Sequence, residues 1–326
     1  MKLTHRGAVA TMVVAALLWS TAGVVTRQLE VARSFEVTFW RSAFNALSLV
    51  ALLAWLRGPS ALLHSLVRGS RVVWLSGLCW SVMFTAFMVA ITLTTVANVL
   101  VTMALAPLVT ALMARAALGH HMPARTWAAI VLAGLGIAWM FGSQVRTGAA
   151  THWAGTAVAL AVPLAAAVNW TVLQALRAPG AGPGTGSPSR GPWKLAAVRH
   201  LIEPGQSGAT PDLMPAVLIG ALVSAALTLP AAWPLVASRH DLLLLAGLGL
   251  GQLAVPCLLA VYAARVLSAP EVALLGLLEV IFGVAWVWLS RGEQVTPAVL
   301  GGGALVLVAL AANELLGRRQ PLRETA

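Results

Sequence analysis

Long apolar blocks separated by short polar connections make up most of this chain. Each block is close to the roughly 20 residues that an α-helix needs to cross the hydrocarbon core of a bilayer. Transmembrane β-strands would be about ten residues long, with apolar and polar positions alternating. The pattern therefore predicts an all-α integral membrane protein with ten transmembrane helices. Their predicted bounds are Ala8 to Val25, Phe35 to Leu56, Val72 to Leu93, Val96 to Leu118, Ala124 to Phe141, Trp153 to Leu176, Leu213 to Val236, Leu242 to Leu267, Pro270 to Ser290 and Val299 to Leu316.

The composition supports a membrane protein and argues against a nucleic-acid-binding one. Hydrophobic residues make up 59% of the chain and charged residues 10%, against about 45–50% and 25% in soluble domains. The net charge of +11 does not indicate nucleic-acid binding, because neither a basic soluble domain nor a basic groove with stacking aromatic residues is present. The only cysteines, Cys79 and Cys257, lie inside apolar blocks. No disulfide framework, metal site or cofactor is therefore predicted.

The basic residues predict how the chain is oriented in the membrane. With the N-terminus inside, the even-numbered connections and both tails hold fifteen Lys and Arg residues, and the odd-numbered connections hold five. Connections on the cytoplasmic side are the ones enriched in Lys and Arg. We therefore expect a multi-pass protein of the cell inner (plasma) membrane, a monomer or a homodimer in the lipid bilayer, with both termini in the cytoplasm.

One long connection interrupts the otherwise short ones. Residues 178–211 are rich in Gly, Pro and Ser, a composition that buries too little apolar surface to fold by itself. We predict a flexible cytoplasmic insertion in this segment. An alternative for part of this segment, Trp193 to Ile202, is a short amphipathic helix that rests on the anionic leaflet of the membrane.

The two halves of the chain share a motif at the same spacing. Leu105-Ala-Pro107 precedes Gly119-His120 by the interval that separates Leu278-Glu-Val280 from Gly292-Glu293. Five spans in each copy is an odd number, so the second copy would be inverted relative to the first. We predict two inverted five-helix repeats, 1–148 and 149–326, with a site between them near the membrane midplane.

These residues resemble a known family. Trp19-Ser20, Leu105-x-Pro107 with Gly119, Leu278-Glu279 with Gly292-Glu293, and the Gly-rich tenth helix are similar to EamA-type transporters of the drug/metabolite transporter superfamily. The resemblance covers nearly the whole chain apart from the insertion. It implies a ten-helix basket whose central cavity is lined by helices one, three, four, six, eight and nine. It also implies export or exchange of amino acids and related small metabolites.

Two positions depart from the family pattern. His120 stands where the family usually has Glu after the Gly that ends the fourth helix, which removes a carboxylate at the cytoplasmic end. Val280 stands where the family usually has Pro. A ninth helix without a Pro-based hinge is therefore expected to be straighter than usual.

Ionisable residues inside the spans are candidate functional groups, because each costs roughly 2.5–3.5 kcal/mol at a helix centre. Glu279 lies at the middle of the ninth span, where burial disfavours the charged form of a carboxylate and suits a group that binds and releases a proton. The alternative is a Glu that braces a neighbouring helix. Arg41 is close enough to the end of the second span to snorkel or to pair with Glu36 or another helix. Ser268 and Glu271 read as a capping box.

Uncharged polar and aromatic side chains complete the candidate site. The substrate-cavity candidates are Asn98, Asn169, Trp170, Trp19 and Gln252, with Glu279 as the coupling candidate. Amide side chains are cheaper to bury than charges and can bind polar substrates. For each amide the alternative is an interhelical hydrogen bond, and for each Trp it is packing.

The predicted function is a secondary transporter of a small polar metabolite, with protons as a coupling ion. No phosphate-binding loop of the Walker type occurs in the sequence, so we expect no ATP hydrolysis by this chain. No catalytic or metal-binding residues are predicted, and the chain is not expected to be an enzyme. The alternatives that remain open are a lipid-carrier flippase, an intramembrane enzyme and a membrane scaffold.

Overall fold

The computed structural model describes seven segments of the chain: residues 3–67, 69–94, 96–119, 122–142, 150–176, 212–291 and 296–318. Within these segments the fold is all-α, and ten helices are long and apolar enough to cross a membrane. The predicted count of ten and the predicted fold class are confirmed. The predicted insertion, the His120-His121 pair and Gly292-Glu293 lie outside the described residues.

The ten spans, numbered 1 to 10 in chain order, are His5–Thr26, Phe35–Arg57, Arg71–Leu93, Asn98–Leu118, Ala124–Phe141, Trp153–Ala175, Met214–Ala232, Arg239–Ala263, Ala269–Trp286 and Pro297–Leu316. The individual helices are α1 (His5–Trp19), α2 (Ala22–Thr26), α3 (Ser34–Arg57), α4 (Pro59–Val67), α5 (Arg71–Leu93), α6 (Val96–Met103), α7 (Ala106–Leu118), α8 (Ala124–Phe141), α9 (Ala150–Ala175), α10 (Met214–Ala232), α11 (Arg239–Gly247), α12 (Val255–Ala263), α13 (Ala269–Gly276), α14 (Leu278–Arg291) and α15 (Pro297–Arg318), with a π-helical segment at Leu248–Ala254.

Side chains and glycines fix several helix ends. The Thr4 hydroxyl accepts a hydrogen bond from the N–H of Gly7 at the start of α1. At the start of α13, Ser268 and Glu271 form the predicted capping box. At the end of α7, Gly119 has φ of 65°, which glycine adopts without the steric penalty of a Cβ atom. These caps satisfy backbone groups that a helix end otherwise leaves unpaired.

The spans pack in a defined set of pairs. Span 5 packs against span 10, span 2 against span 7, and span 4 against span 9. Span 3 contacts spans 6 and 7, and span 8 contacts spans 1 and 2. Span 6 also packs against span 4, and span 1 against span 9. Because spans 8 and 9 both contact span 1, polar groups on these three spans can meet in the bundle interior.

Two buried carboxylates hold the connections at the end of the bundle opposite the termini. Asp241 accepts hydrogen bonds from the backbone N–H groups of residues 30, 31 and 32 at 2.8, 3.0 and 2.8 Å. Glu36 accepts from the backbone N–H groups of Val236 and Ala237, both at 2.8 Å. Each carboxylate therefore satisfies N–H groups of a connection between two other spans, which ties that connection to the bundle.

Ion pairs connect the helix ends at the opposite face of the bundle, where the described termini lie. Asp212, just before span 7, pairs with Arg57 at the end of span 2 and with Arg265 beyond the end of span 8. His5 lies 3.5 Å from Glu271 and 3.8 Å from Glu314. These contacts are partly exposed to solvent, where such pairs contribute only about 0–1 kcal/mol each.

Close helix packing depends on some of the glycines that the sequence presents and not on others. A Cβ on Gly136 would lie 2.7 Å from the carbonyl oxygen of Gly302, so spans 5 and 10 approach backbone to backbone. A Cβ on Gly249 would lie 2.5 Å from the Cβ of Phe44. By contrast, Gly134, Gly247 and Gly251 face open space. Gly247 and Gly251, although four residues apart on one span, therefore do not mediate close packing between helices.

We expect Gly136→Ala to destabilise the protein by about 1–3 kcal/mol, because the added methyl group meets backbone atoms that cannot move aside. Gly134→Ala, on the same helix but facing open space, should be neutral or slightly stabilising, since Ala favours helix by up to about 1 kcal/mol over Gly. Thermal unfolding of the purified protein in detergent compares the two variants. Equal transition temperatures would show that spans 5 and 10 do not pack as described.

Candidate functional site

Four spans depart from a regular α-helix away from their ends. Span 1 is interrupted at Ser20 and Thr21, span 4 between α6 and α7, and span 9 at Leu277. Span 8 contains the seven-residue π-helical segment. In span 9, Leu277 donates its N–H to the carbonyl of Leu274, which tightens one turn without any proline. That span 9 is straighter than is usual in the family stays a prediction. Interrupted helices at mid-membrane are where transporters build substrate sites, since they present backbone and side-chain polar groups to a solute.

The π-helical segment of span 8 has a local cause in the sequence. Pro256 has no N–H to donate, and the ring of a proline clashes with the carbonyl four residues earlier. Just before it, Val255 donates its N–H to the carbonyl of Leu250, five residues back. The helix thus widens by one residue before the proline, which is a common feature of functional sites in helices.

Gln252 connects the π-helical segment to the interruption of span 1. Its Nε2 donates to the backbone carbonyl of Trp19 at 3.2 Å, one of the carbonyls that the end of α1 leaves without an intrahelical partner. Its Oε1 is buried without a hydrogen-bond partner among the described residues. Gln252 is 5% exposed, so this oxygen cannot be satisfied by bulk solvent in this conformation.

Arg41 and Asn45 lie one helical turn apart on span 2 and therefore share a face of the helix. Arg41 is 3% exposed and Asn45 is 0% exposed. The Nε of Arg41 and both amide atoms of Asn45 have no hydrogen-bond partner in the described part of the chain. Gly249 allows the π-helical segment to approach this turn, because a Cβ atom at this position would lie only 2.7 Å from the backbone nitrogen of Asn45.

Glu279 and Cys257 bring spans 9 and 8 to the same place. Glu279 is the second residue of α14, directly after the interruption at Leu277, and is partly buried. The Arg41 guanidinium and the Glu279 carboxylate attract one another electrostatically. The buried Cys257 thiol is within the electrostatic influence of both charges and lies beside Trp19.

We call the six residues from spans 1, 2, 8 and 9 that meet in this way the central polar group: Trp19, Arg41, Asn45, Gln252, Cys257 and Glu279. The group contains one basic and one acidic side chain, so its formal charges balance when both are ionised. It also contains several donors and acceptors without partners. An arrangement of this kind can bind a small polar solute, because unpaired buried polar atoms gain most from a ligand that pairs with them.

Arg41 does not snorkel to the membrane surface, although its distance from the end of the span would allow it. Its side chain is buried in the bundle, and Glu36 uses its carboxylate for backbone N–H groups and for the indole N–H of Trp40 at 3.3 Å. No ion pair with Glu36 or with another helix is found for Arg41 among the described residues, and Glu279 attracts it electrostatically without direct contact. Asn45 was missed by sequence reasoning. The spacing of Arg41 and Asn45 within an apolar span was the signal that could have revealed both.

Three of the predicted site residues lie elsewhere. Asn169 accepts a hydrogen bond from Ser76 at 2.6 Å, and the Trp170 ring meets that of Trp80 edge-on at 5.6 Å between centroids. These contacts bridge spans 3 and 6. No hydrogen bond, ion pair or ring contact between described residues joins Asn169 or Trp170 to the central polar group. Asn98 Nδ2 donates to the Thr94 hydroxyl at 2.9 Å, a bond near the start of span 4. A role for these three in substrate binding stays a prediction.

Sequence comparison indicates the family. The model of the EamA-like transporter family matches residues 6–142. This match supports an EamA-type transporter of the drug/metabolite transporter superfamily. The matched segment holds the first five spans of this EamA-type transporter, including Trp19, Arg41 and Asn45. The family that the motifs indicated is thus confirmed.

Structural comparison adds the fold of the whole chain. Among 22 matching chains of solved structures, one described only as "Crystal structure of protein" superposes with a TM-score of 0.71, covering 97% of this chain and 99% of that chain. The two sequences are 19% identical, so the likeness establishes a shared fold alone. No curated protein matches the sequence.

The two fully buried asparagines should respond in opposite ways to the same substitution. Asn169 accepts from Ser76 through Oδ1, while its Nδ2 has no hydrogen-bond partner among the described residues. Asn169→Leu removes the acceptor and leaves the buried Ser76 hydroxyl unsatisfied, so it should destabilise the protein by about 1 kcal/mol, within the range for hydrogen bonds between membrane helices. Asn45→Leu removes an amide without partners and should leave stability unchanged or higher, because it relieves an unsatisfied buried group. Thermal unfolding in detergent distinguishes them. An Asn45→Leu variant as unstable as Asn169→Leu would mean that Asn45 has a structural partner.

Proposed function

We propose that this EamA-type protein is a secondary transporter that moves a small polar metabolite across the membrane by alternating access, with the central polar group as its binding site. The observation that carries the proposal is the set of unpartnered polar atoms on Arg41, Asn45 and Gln252. They are buried among interrupted helices in the middle of a membrane protein. Each such atom costs about 1–3 kcal/mol when unsatisfied, and a solute that pairs with it would recover that free energy.

The pairing of the spans supports two inverted repeats. Each span of the first repeat has its counterpart five positions later in the second repeat. When every span is exchanged for its counterpart, the pair of spans 2 and 8 becomes 7 and 3, the pair 3 and 6 becomes 8 and 1, and the pair 4 and 6 becomes 9 and 1. All of these pairs pack together. The pairs 2 and 7, 4 and 9, and 5 and 10 convert into themselves. Spans 6 and 9 also pack together, and the counterpart pair 1 and 4 is not among the packed pairs of described residues. The exchange of the pairs named first is expected of repeats 1–148 and 149–326 related by a pseudo-two-fold axis, and the odd number of spans in each repeat would make the two inverted.

The same observations favour a transporter over the other classes considered. A scaffold gains nothing from a buried Arg and Glu with spare hydrogen-bonding capacity. A flippase would need its polar groups to face the lipid, whereas Arg41, Asn45 and Gln252 are buried in the bundle. We further propose export or exchange of amino acids and related metabolites across the inner or plasma membrane, with both termini in the cytoplasm. The resemblance to the family and the distribution of basic residues support these points.

Overexpression of the chain should raise resistance to at least one compound in a growth panel of toxic amino-acid analogues and amphipathic cations. Asn45→Leu is the test variant, because it should insert and fold while losing two polar atoms of the central polar group. We expect this variant to lose the resistance that the wild-type chain confers. If the two chains gave the same resistance profile across the panel, the central polar group would not be the transport site.

Glu279→Gln should abolish proton coupling while leaving insertion intact, because an amide keeps the shape of the side chain and cannot bind and release a proton. The measurement is flux of the compound identified in the growth panel into proteoliposomes under an imposed pH gradient. Glu271→Gln is the control in the same span, since Gln also serves in a capping box. Gradient-driven flux unchanged by Glu279→Gln would exclude Glu279 as the coupling site.

A further inference from the structure

We infer that the face of span 2 formed by Arg41 and Asn45 binds the anionic group of the transported solute, a planar carboxylate or a similar oxyanion, in competition with Glu279. The inference rests on the proposed function, because it assigns the substrate class of the same central polar group. It concerns two residues that lie outside the motifs shared by the two halves of the sequence. It therefore does not follow from the repeat.

Arg41 is unusual among the basic residues of the bundle. Within the described spans, the other Lys and Arg residues lie within about one turn of a span end, whereas Arg41 is buried further in. A guanidinium group stays protonated in proteins and has five N–H donors in a fixed fork. Keeping this charge inside a membrane bundle is costly. A purely structural role would be expected to satisfy its donors within the protein.

Part of the hydrogen-bonding capacity of the Arg41 guanidinium is unused. Glu279 supplies one opposite charge, but no ion pair within 4.0 Å joins the two side chains among the described residues, and the Nε of Arg41 has no hydrogen-bond partner. The fork of an arginine matches a carboxylate with two parallel hydrogen bonds. The remaining donors are therefore suited to an oxyanion that enters the bundle.

Asn45 extends this donor set by one turn. Its amide Nδ2 is a donor without a partner, on the same helix face as the guanidinium. A carboxylate bound by Arg41 could accept a further hydrogen bond from this amide. Because Asn45 is fully buried and Gly249 brings the π-helical segment against its backbone, a group bound here would be held away from lipid.

Glu279 then acts as the resident counter-ion that the solute replaces. In the conformation described, its carboxylate and the Arg41 guanidinium attract one another without direct contact. An incoming anion that pairs with Arg41 weakens the electrostatic attraction between Arg41 and Glu279. The Glu279 carboxylate then becomes available to a proton or to a cationic group of the same solute. Binding of the anion and release of Glu279 would thus be coupled through a single guanidinium.

Cys257 allows a test that needs no knowledge of the natural substrate. In a Cys79→Ser background it is the only thiol of the chain, since the sequence has 2 cysteines, and it is within the electrostatic influence of Arg41 and Glu279. The probes are two methanethiosulfonate reagents of similar size, one bearing a sulfonate and the other a trimethylammonium group. Each forms a mixed disulfide with the thiol and releases methanesulfinate. The ratio of the two reaction rates reports how strongly the open site attracts an anion.

We expect the sulfonate-to-trimethylammonium rate ratio to fall by about 10- to 100-fold in Arg41→Gln, as for the loss of hydrogen bonds to a charged group. The ratio should rise in Glu279→Gln. Arg239→Gln removes the same charge from an exposed position at the first residue of span 8 and should leave the ratio of the two rates unchanged. Monodisperse elution in detergent checks that each variant is folded.

The double variant Arg41→Gln/Glu279→Gln decides between recognition and simple neutralisation. It keeps the bundle electrically balanced, so it should fold even if Arg41→Gln alone does not. If Arg41 attracts the anion itself, the ratio in the double variant stays below that of the wild type. A ratio that returns to the wild-type value would overturn the inference and leave Arg41 as a counter-ion only, with the transport function untouched. If neither reagent modifies Cys257, the central polar group is closed to water, which overturns the proposed site as well.

Discussion

A bilayer offers no water to satisfy the polar groups of a protein, and every part of this fold is constrained by that fact. The ten spans satisfy their backbones by forming helices. Where the chain must leave a helix, a carboxylate accepts the exposed N–H groups, as Asp241 does for residues 30–32 and Glu36 does for Val236 and Ala237. Unpaired buried atoms also occur on Ser70, Trp80, Thr110, Asn169 and Thr171. Those of Arg41, Asn45 and Gln252 differ in that they belong to one group of side chains, which also contains Glu279.

Rigid and adaptable regions are separated within the bundle. Spans 5 and 10 meet through the backbones of Gly136 and Gly302, and spans 3 and 7 through Gly77 and Gly220, with almost no space for a further methyl group. The interrupted spans 1, 8 and 9 carry most of the central polar group instead. A transporter that alternates between two conformations needs both kinds of region, because packed interfaces move as units and irregular helices absorb the changes in backbone angles.

The sequence was sufficient for the fold and for part of the site. Apolar blocks of bilayer length are a strong signal, so all ten spans were found. Glu279, Gln252 and Trp19 were identified because polar or large aromatic residues inside a span are conspicuous. The burial of Arg41 depends on how span 2 is rotated in the bundle, which length and hydropathy do not determine. For the same reason Asn169 and Trp170 were indistinguishable from cavity residues, although they connect spans 3 and 6.

The π-helical segment has a consequence for comparing this chain with its relatives. A π-helical turn holds one residue more than an α-helical turn over the same rise, so residues 248–254 amount to a single-residue insertion in span 8. A relative that lacks this residue would continue as a regular α-helix, and everything after the segment would be turned by roughly 100°. Cys257 and its neighbours would then face another part of the bundle. A one-residue gap in an alignment at this point would therefore mark proteins in which span 8 contributes different side chains to the interior.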